Sequence, residues 1–141
     1  MRIPGRIREW LASRLYPDSR SLGRLGERRA ARHLARNGLE VLARNVHLGG
    51  GEIDLVAREG RALVFVEVKS TSQGSWGSGF ERIDSAKRRS LRRACRAYLQ
   101  LLPEYPSTYR LDVISVSFAR GALGPRVCGI SWEKGFFPLD G

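Results

Sequence analysis

Two short segments place charged side chains inside apolar surroundings: Gly51-Glu52-Ile53-Asp54 and Val64-Phe65-Val66-Glu67-Val68-Lys69. The second has apolar residues on both parities, Val64, Val66 and Val68 against Leu63 and Phe65, the pattern of a strand covered on both faces. Glu67 and Lys69 thus sit at the end of a core strand, where an ionised group is costly unless a partner or a metal compensates. Mg²⁺ (or Mn²⁺) takes hard oxygen ligands, often one or two carboxylates with water and substrate phosphate completing the shell. Asp54 and Glu67 suit that role. The bound metal would act as Lewis acid on a phosphate and lower the pKa of a water. Lys69 is then placed to orient or deprotonate that water and to offset charge in a pentacovalent transition state. Without metal the two carboxylates would repel, and one would tend to keep its proton. Glu27, in a helical stretch, could reach the same cluster as a further ligand or water anchor. The competing reading is an ion-pair stripe of Glu67 and Lys69 with Arg58 or Arg61 at a wet sheet edge, with Glu27 an ordinary solvated helix charge.

The elements that must position these residues follow from periodicity. Apolar Leu22, Leu25, Ala30, Ala31 and Leu34 recur at helical spacing over 21–37, and Gly38 follows as a C-cap should. Residues 39–48 read as a strand, Gly49-Gly50-Gly51 as a turn, and 52–58 and 62–70 as two strands joined through Glu59-Gly60. A two-residue hairpin loop makes the numbers of facing residues sum to an odd value, and facing residues share a side of the sheet. Asp54 and Glu67 therefore point the same way, joined by Glu52 and Lys69, with Asp54 opposite Glu67 or Phe65. A Gly/Ser-rich loop from Ser70 to Gly79 contains Trp76. Asp84 is a candidate N-cap for a helix running to Leu102 before Pro103, and 109–119 and 126–132 are further strands. Residues 1–20, with amphipathic Ile7 to Leu15 and then Pro17, form a basic arm or short helix. Residues 21–141 form a single domain, since 141 residues suffice for one core without staples.

The formal charge is +11, from 25 basic and 14 acidic residues, which points to a polyanionic partner. Nucleic acid is preferred over a membrane, because no apolar run approaches the roughly 18 residues of a span, and no signal peptide is visible. A cytoplasmic location is expected. Only Lys69, Lys87 and Lys134 are lysines. Cys95 and Cys128 lack metal-ligand spacing, and His33 and His47 fall on different elements, so zinc is not expected. The second helix gathers Lys87, Arg88, Arg89, Arg92, Arg93 and Arg96 around an apolar face of Ala86, Leu91, Ala94, Cys95, Tyr98 and Leu99. It reads either as a solvated face in an arginine-rich chain or as a phosphate-tracking surface. Trp76 either stacks on an unpaired base or packs back on the domain.

Gly26-Glu27 with Ala30 and Leu34, Leu42, Asn45, the run Gly51 to Ala57, the run Leu63 to Lys69, Lys87, Tyr98-Leu99 and Leu111-Asp112-Val113 together resemble the YraN family of bacterial proteins. That family is in turn similar to the restriction-endonuclease-like PD-(D/E)XK nucleases, including archaeal Holliday-junction resolvases. The resemblance spans about residues 22–117. It implies a three-layer α/β/α fold with a central mixed sheet, Asp54 and Glu67 as Mg²⁺ ligands, Lys69 as catalytic lysine, Glu27 as helix-borne acid, and the Lys87 helix facing substrate. Ile53 stands where the superfamily name has proline, and Thr71 where the family often has a basic residue.

The expected function is Mg²⁺-dependent phosphodiester hydrolysis by an endonuclease acting on DNA rather than RNA, in structured or branched form, since so small a domain has little surface for base readout. The alternative is a non-catalytic nucleic-acid-binding protein that keeps the fold, because fold does not settle function. The oligomeric state is open, a homodimer being one option.

Overall fold

The computed structural model describes residues 19–72 and 83–139, the first two through their backbone alone. Most of the N-terminal arm, and the loop carrying Trp76, lie outside these residues.

Helix α1, Ser19–Arg36, buries Ala30, Ala31 and Leu34. It ends as the sequence pattern asks: Gly38 takes φ +86°, its N–H donates to Ala35 O at 3.1 Å, and the Leu39 N–H donates to Leu34 O at 3.0 Å. Strands β1 (Glu40–Leu48), β2 (Gly51–Glu59) and β3 (Ala62–Ser72) follow, then α2 (Ser85–Leu101), β4 (Thr108–Gly121) and β5 (Gly124–Glu133). Asp84 caps α2, its carboxylate accepting from the Lys87 N–H at 2.8 Å.

The strands form one sheet in the order β1-β2-β3-β4-β5, antiparallel except for the parallel β3–β4 pair that α2 connects. β3 is the middle strand, and every residue from Leu63 to Val68 is buried. On one face Ala30, Ala31 and Leu34 of α1 pack on Leu55, Val64, Val66, Ile114 and Val116. On the other, Leu91, Ala94, Cys95 and Leu99 of α2 pack on Val56, Phe65, Leu111 and Val113. The result is the three-layer α/β/α arrangement around a mixed sheet. No helix of the described residues is long and apolar enough to cross a membrane.

The β2–β3 turn is Gly60-Arg61, with Glu59 facing Ala62 and Gly60 at φ +59°. A positive φ at the first central residue is what a tight hairpin requires of glycine. The register then runs through Val56↔Phe65 and stops at Leu55↔Val66. Beyond that point β2 stays paired with β1 as far as Gly51↔Leu48, while β3 stays paired with β4 as far as Ser72↔Phe118. The sheet therefore forks at Asp54 and Glu67.

The β1–β2 turn is clamped to α2. A Cβ on Gly51 would lie 2.4 Å from the Ser90 carbonyl oxygen, and a helix carbonyl cannot yield alone. Gly51→Ala is therefore expected to cost about 1–3 kcal/mol through overpacking. Gly129→Ala, with open space around its Cβ, should cost far less. Urea midpoints of the two variants check this, and equal midpoints would refute the clamp.

Candidate active site

The fork is built by a local distortion of β1 and β2. Pairing passes from Arg44↔Leu55 to Val46↔Ile53, leaving Asn45 and Asp54 as facing positions without ladder partners. Asn45 adopts φ +49°, a left-handed conformation that asparagine tolerates better than most residues. Ile53 joins the α2-side core and Leu55 the α1-side core, although strand residues two apart should share a face. β2 thus turns about its axis at Asp54. The carboxylate of Asp54 takes over the lost pairing, its Oδ2 accepting from the Val68 N–H at 2.8 Å.

Register arithmetic extended by one step puts Glu67 across from Asp54, as parity demanded. Glu67 is 2% exposed. Its Oε1 faces two ammonium groups, Lys69 Nζ at 3.4 Å and Lys87 Nζ at 3.5 Å. Its Oε2 is buried and receives no N–H hydrogen bond among the described residues, its polar neighbour being the Asp54 carboxyl, which hydrogen-bonds to Glu67 when it holds its proton. Arg58 pairs with Glu40 on the edge strand instead, so neither Arg58 nor Arg61 supplies the stripe that the bland reading needed. Lys87, read from sequence as a phosphate contact, is here a partner of Glu67. Cys95 lies under this cluster, and burial, then the Glu67 charge, push its thiol up to about 12, so it serves as core.

Glu27 occupies the sheet-facing row of α1 with Ala30, Ala31 and Leu34, the i, i+3, i+4, i+7 set. α1 approaches the fork closely at that end, since a Cβ on Gly26 would meet Ser70 Oγ at 1.8 Å. The Glu27 carboxyl is raised above its usual range, by burial foremost and then by the Glu52 and Glu67 charges. A hydrogen bond from Asn45 and the charge of Arg44 oppose this. Asn45 belongs to this cluster, and sequence reasoning, which noted it only as part of the family pattern, gave it no role. Its other signal was an asparagine inside a strand, in a position where the backbone has to turn.

Burial, followed by the neighbouring Glu67 carboxylate, pushes Asp54 up to about 8 against the pull of the Val68 N–H, and Glu27 adds to the rise. Asp54 therefore holds its proton at neutral pH, which hard-cation binding would displace. Among the described residues no three His, Cys, Asp or Glu side chains converge to hold a metal ion by themselves. Glu27 senses the field of Glu67 without completing a three-carboxylate cage. Two carboxylates, one with a buried oxygen that receives no N–H hydrogen bond among the described residues, fit Mg²⁺ or Mn²⁺ where water and substrate phosphate supply the remaining ligands.

A stability prediction follows from Asp54. Its folded pKa of about 8 lies above the ordinary carboxyl value of 3.8, so between those values the folded state holds a proton that the unfolded chain has lost. Stability should fall as pH rises through that window, by up to about 1.4 kcal/mol per pH unit. Asp54→Asn keeps an acceptor for the Val68 N–H and removes the titration. It should flatten the dependence, hold or raise Tm in EDTA, and remove any Tm increase that millimolar Mg²⁺ gives the wild type. Thermal scans at several pH values decide it: a clear loss of stability for Asp54→Asn in EDTA would make Asp54 a structural ion-pair partner.

The basic helix is less free than its sequence suggests. Arg92 Nε donates to Pro138 O at 3.0 Å, Arg96 Nη2 to Leu139 O at 3.2 Å, Arg93 Nε to Gly49 O at 3.4 Å and Arg88 Nε to Ile83 O at 3.3 Å. Arg88 and Arg92 also lie over the Phe137 ring, at 5.5 and 5.1 Å. Arg89 is exposed and makes no such contact among the described residues. Trp76 falls outside them. An open groove of about 560 Å³ lies between the β1–β2 turn and the start of α2, with Glu52, Lys87 and Ser90 in its wall.

A UPF0102 protein of Parafrankia sp. (strain EAN1pec) is 47% identical over 98 residues, covering 70% of this chain and 83% of the relative. A UPF0102 protein of Pseudomonas paraeruginosa is 38% identical over 121 residues, covering 85% and 94%. Among solved structures, Pyrococcus furiosus SfsA in complex with Ca²⁺ is similar at a TM-score of 0.40 and 14% identity, covering 83% of this chain and 64% of that one. The family model described as "Uncharacterised protein family UPF0102" matches residues 26–116, the span from Gly26 beside Glu27 to the middle of β4, and the chain accordingly belongs to the UPF0102 (YraN) family.

Proposed function

We propose that the protein is a Mg²⁺- or Mn²⁺-dependent endonuclease that hydrolyses phosphodiester bonds in DNA, structured or branched forms being preferred. The observation that carries this reading is the buried Asp54–Glu67 pair at the fork, with a Glu67 Oε2 that receives no N–H hydrogen bond among the described residues and Lys69 two residues further along the same face. The metal, when bound, supplies Lewis acidity at the phosphate and a water of lowered pKa. The chain does the rest. Asp54 and Glu67 hold their carboxylates in one orientation, Asp54 through the Val68 N–H and Glu67 through Lys69 and Lys87. Lys69, one quarter exposed, presents its ammonium to the open end of the fork, where it can orient water and offset charge on phosphoryl oxygens. Glu27, held protonated more readily than a free glutamate, is placed to anchor a water on the α1 side.

One observation favours the non-catalytic alternative: Lys69 and Lys87 already compensate Glu67, and Asp54 holds its proton, so the cluster is electrostatically tolerable without metal. A nicking assay with Mg²⁺ or Mn²⁺ over single-stranded, duplex, flap and four-way DNA, with Glu67→Ala purified in parallel, separates the two readings.

A further inference from the structure

We propose that α1 carries a phosphate-tracking surface for duplex nucleic acid, formed by Arg24, Arg28, Arg32 and Arg36. These four arginines lie at successive i, i+4 positions, so they form one row along the helix. At a rise of 1.5 Å per residue the row is roughly 18 Å long, with a cation about every 6 Å. All four are exposed, and among the described residues none is engaged by an ion pair, a hydrogen bond or a ring contact. The contrast with α2 is direct. There Arg88, Arg92, Arg93 and Arg96 donate to the chain's own carbonyls, and Lys87 is held by Glu67. Like charges at i, i+4 on a helix are mildly destabilising. A row of four that forms no ion pair among the described residues therefore works against α1 unless a polyanion offsets it.

The chemistry of the face identifies the polyanion. A membrane-surface helix needs an apolar face to sink into the acyl boundary. The apolar side of α1 is already spent on the sheet, and the exposed large apolar residues among those described, Leu42, Leu101, Tyr105 and Leu123, all lie elsewhere. Single-stranded nucleic acid is held by aromatic stacking as well as charge. The exposed α1 positions offer no aromatic ring. A rigid row of guanidinium groups matches the backbone of a duplex, where each neutralised phosphate releases counterions. Arg24 lies three residues before Glu27, so a duplex following the row arrives at the fork.

The catalytic reading enters only through that last step, and the surface can be tested without it. Anisotropy of a labelled duplex of roughly 20 base pairs, titrated in EDTA over a range of salt, gives the slope of log affinity against log salt. Arg28→Gln/Arg32→Gln should flatten that slope by about 1.8, or about 0.9 per lost contact, equally on unrelated sequences and with Tm equal to or slightly above wild type. Arg92→Gln/Arg96→Gln should flatten it less. A slope equal to wild type overturns the proposal. So does a loss of binding to phosphatidylserine-containing vesicles with duplex binding intact. Cleavage plays no part in this measurement. Nicking that does not depend on Glu67 would remove the nuclease reading and leave this surface standing, whereas an unchanged slope beside Glu67-dependent nicking would do the reverse.

Discussion

Glu67→Ala is expected to lower metal-dependent nicking by about three orders of magnitude, and Lys69→Ala by a comparable factor, while both leave folding intact. If Glu67 is one of the two metal-ligating carboxylates as proposed, its loss forfeits several kcal/mol of transition-state stabilisation, and each 1.36 kcal/mol is a factor of ten. Binding to DNA should persist in Glu67→Ala or tighten, because the change removes a negative charge near phosphate. The same substitution should bring the Asp54 carboxyl back toward its usual range, since Glu67 is second only to burial among the causes of its rise. A chemical-shift titration of Asp54 reports that change whether or not the protein cleaves anything. Equal nicking by wild type and Glu67→Ala would sink the nuclease reading and leave a nucleic-acid-binding protein with the same fork.

Much of this arrangement was legible in the sequence, for a geometric reason. A two-residue hairpin fixes parity, so Asp54, Glu67 and Lys69 had to share a side of the sheet, and the strand read at 62–70, which runs on to Ser72, announced its buried middle by apolar residues of both parities. What the pattern could not show is that the ladder ends at Leu55↔Val66. That break coincides with one left-handed residue, Asn45, facing Asp54 from the neighbouring strand. Long cationic side chains were the other blind spot. Their partners are set by tertiary contact, so a helix rich in arginine looks the same in sequence whether its guanidinium groups face solvent or, as in α2, the carbonyls of Pro138 and Leu139. The row in α1 carries the same residue type in plain view, and only the structure separates the two helices.

The largest stability effect is expected away from the fork, at Asp112, which belongs to the family pattern but not to the candidate site. It is fully buried on β4 and accepts four hydrogen bonds: Arg110 Nε at 2.9 Å and Nη2 at 3.2 Å, Trp132 Nε1 at 3.0 Å and the Gly135 N–H at 2.9 Å. Arg110 reaches on to Glu59 at 3.2 Å, tying the β2–β3 hairpin to β4. Gly135 begins the segment that donates from the Phe136 N–H to Leu111 O and then lays Phe137 and Leu139 into the α2-side core. Asp112→Ala would leave an indole N–H and a backbone N–H without their acceptor and the Arg110 guanidinium, one quarter exposed, with Glu59 alone, and breaking a buried pair from one side costs up to about 3–5 kcal/mol. Against a total of about 5–15 kcal/mol that is a severe loss, on the order of 10 °C or more in Tm for a domain of this size. Asp112→Asn keeps two of the acceptor contacts and loses the charge, so it should fall in between. The damage should also spread to α2, because Arg92 and Arg96 hold carbonyls of the segment that Asp112 anchors. Hydrogen exchange should therefore show faster amide exchange over 135–139 and along the α2 face carrying those arginines, in the Asn variant as well as in Ala. Wild-type stability in Asp112→Ala would mean that the four hydrogen bonds contribute nothing net, and that the C-terminal segment is held by its aromatic contacts and its remaining hydrogen bonds to Leu111, Arg92 and Arg96.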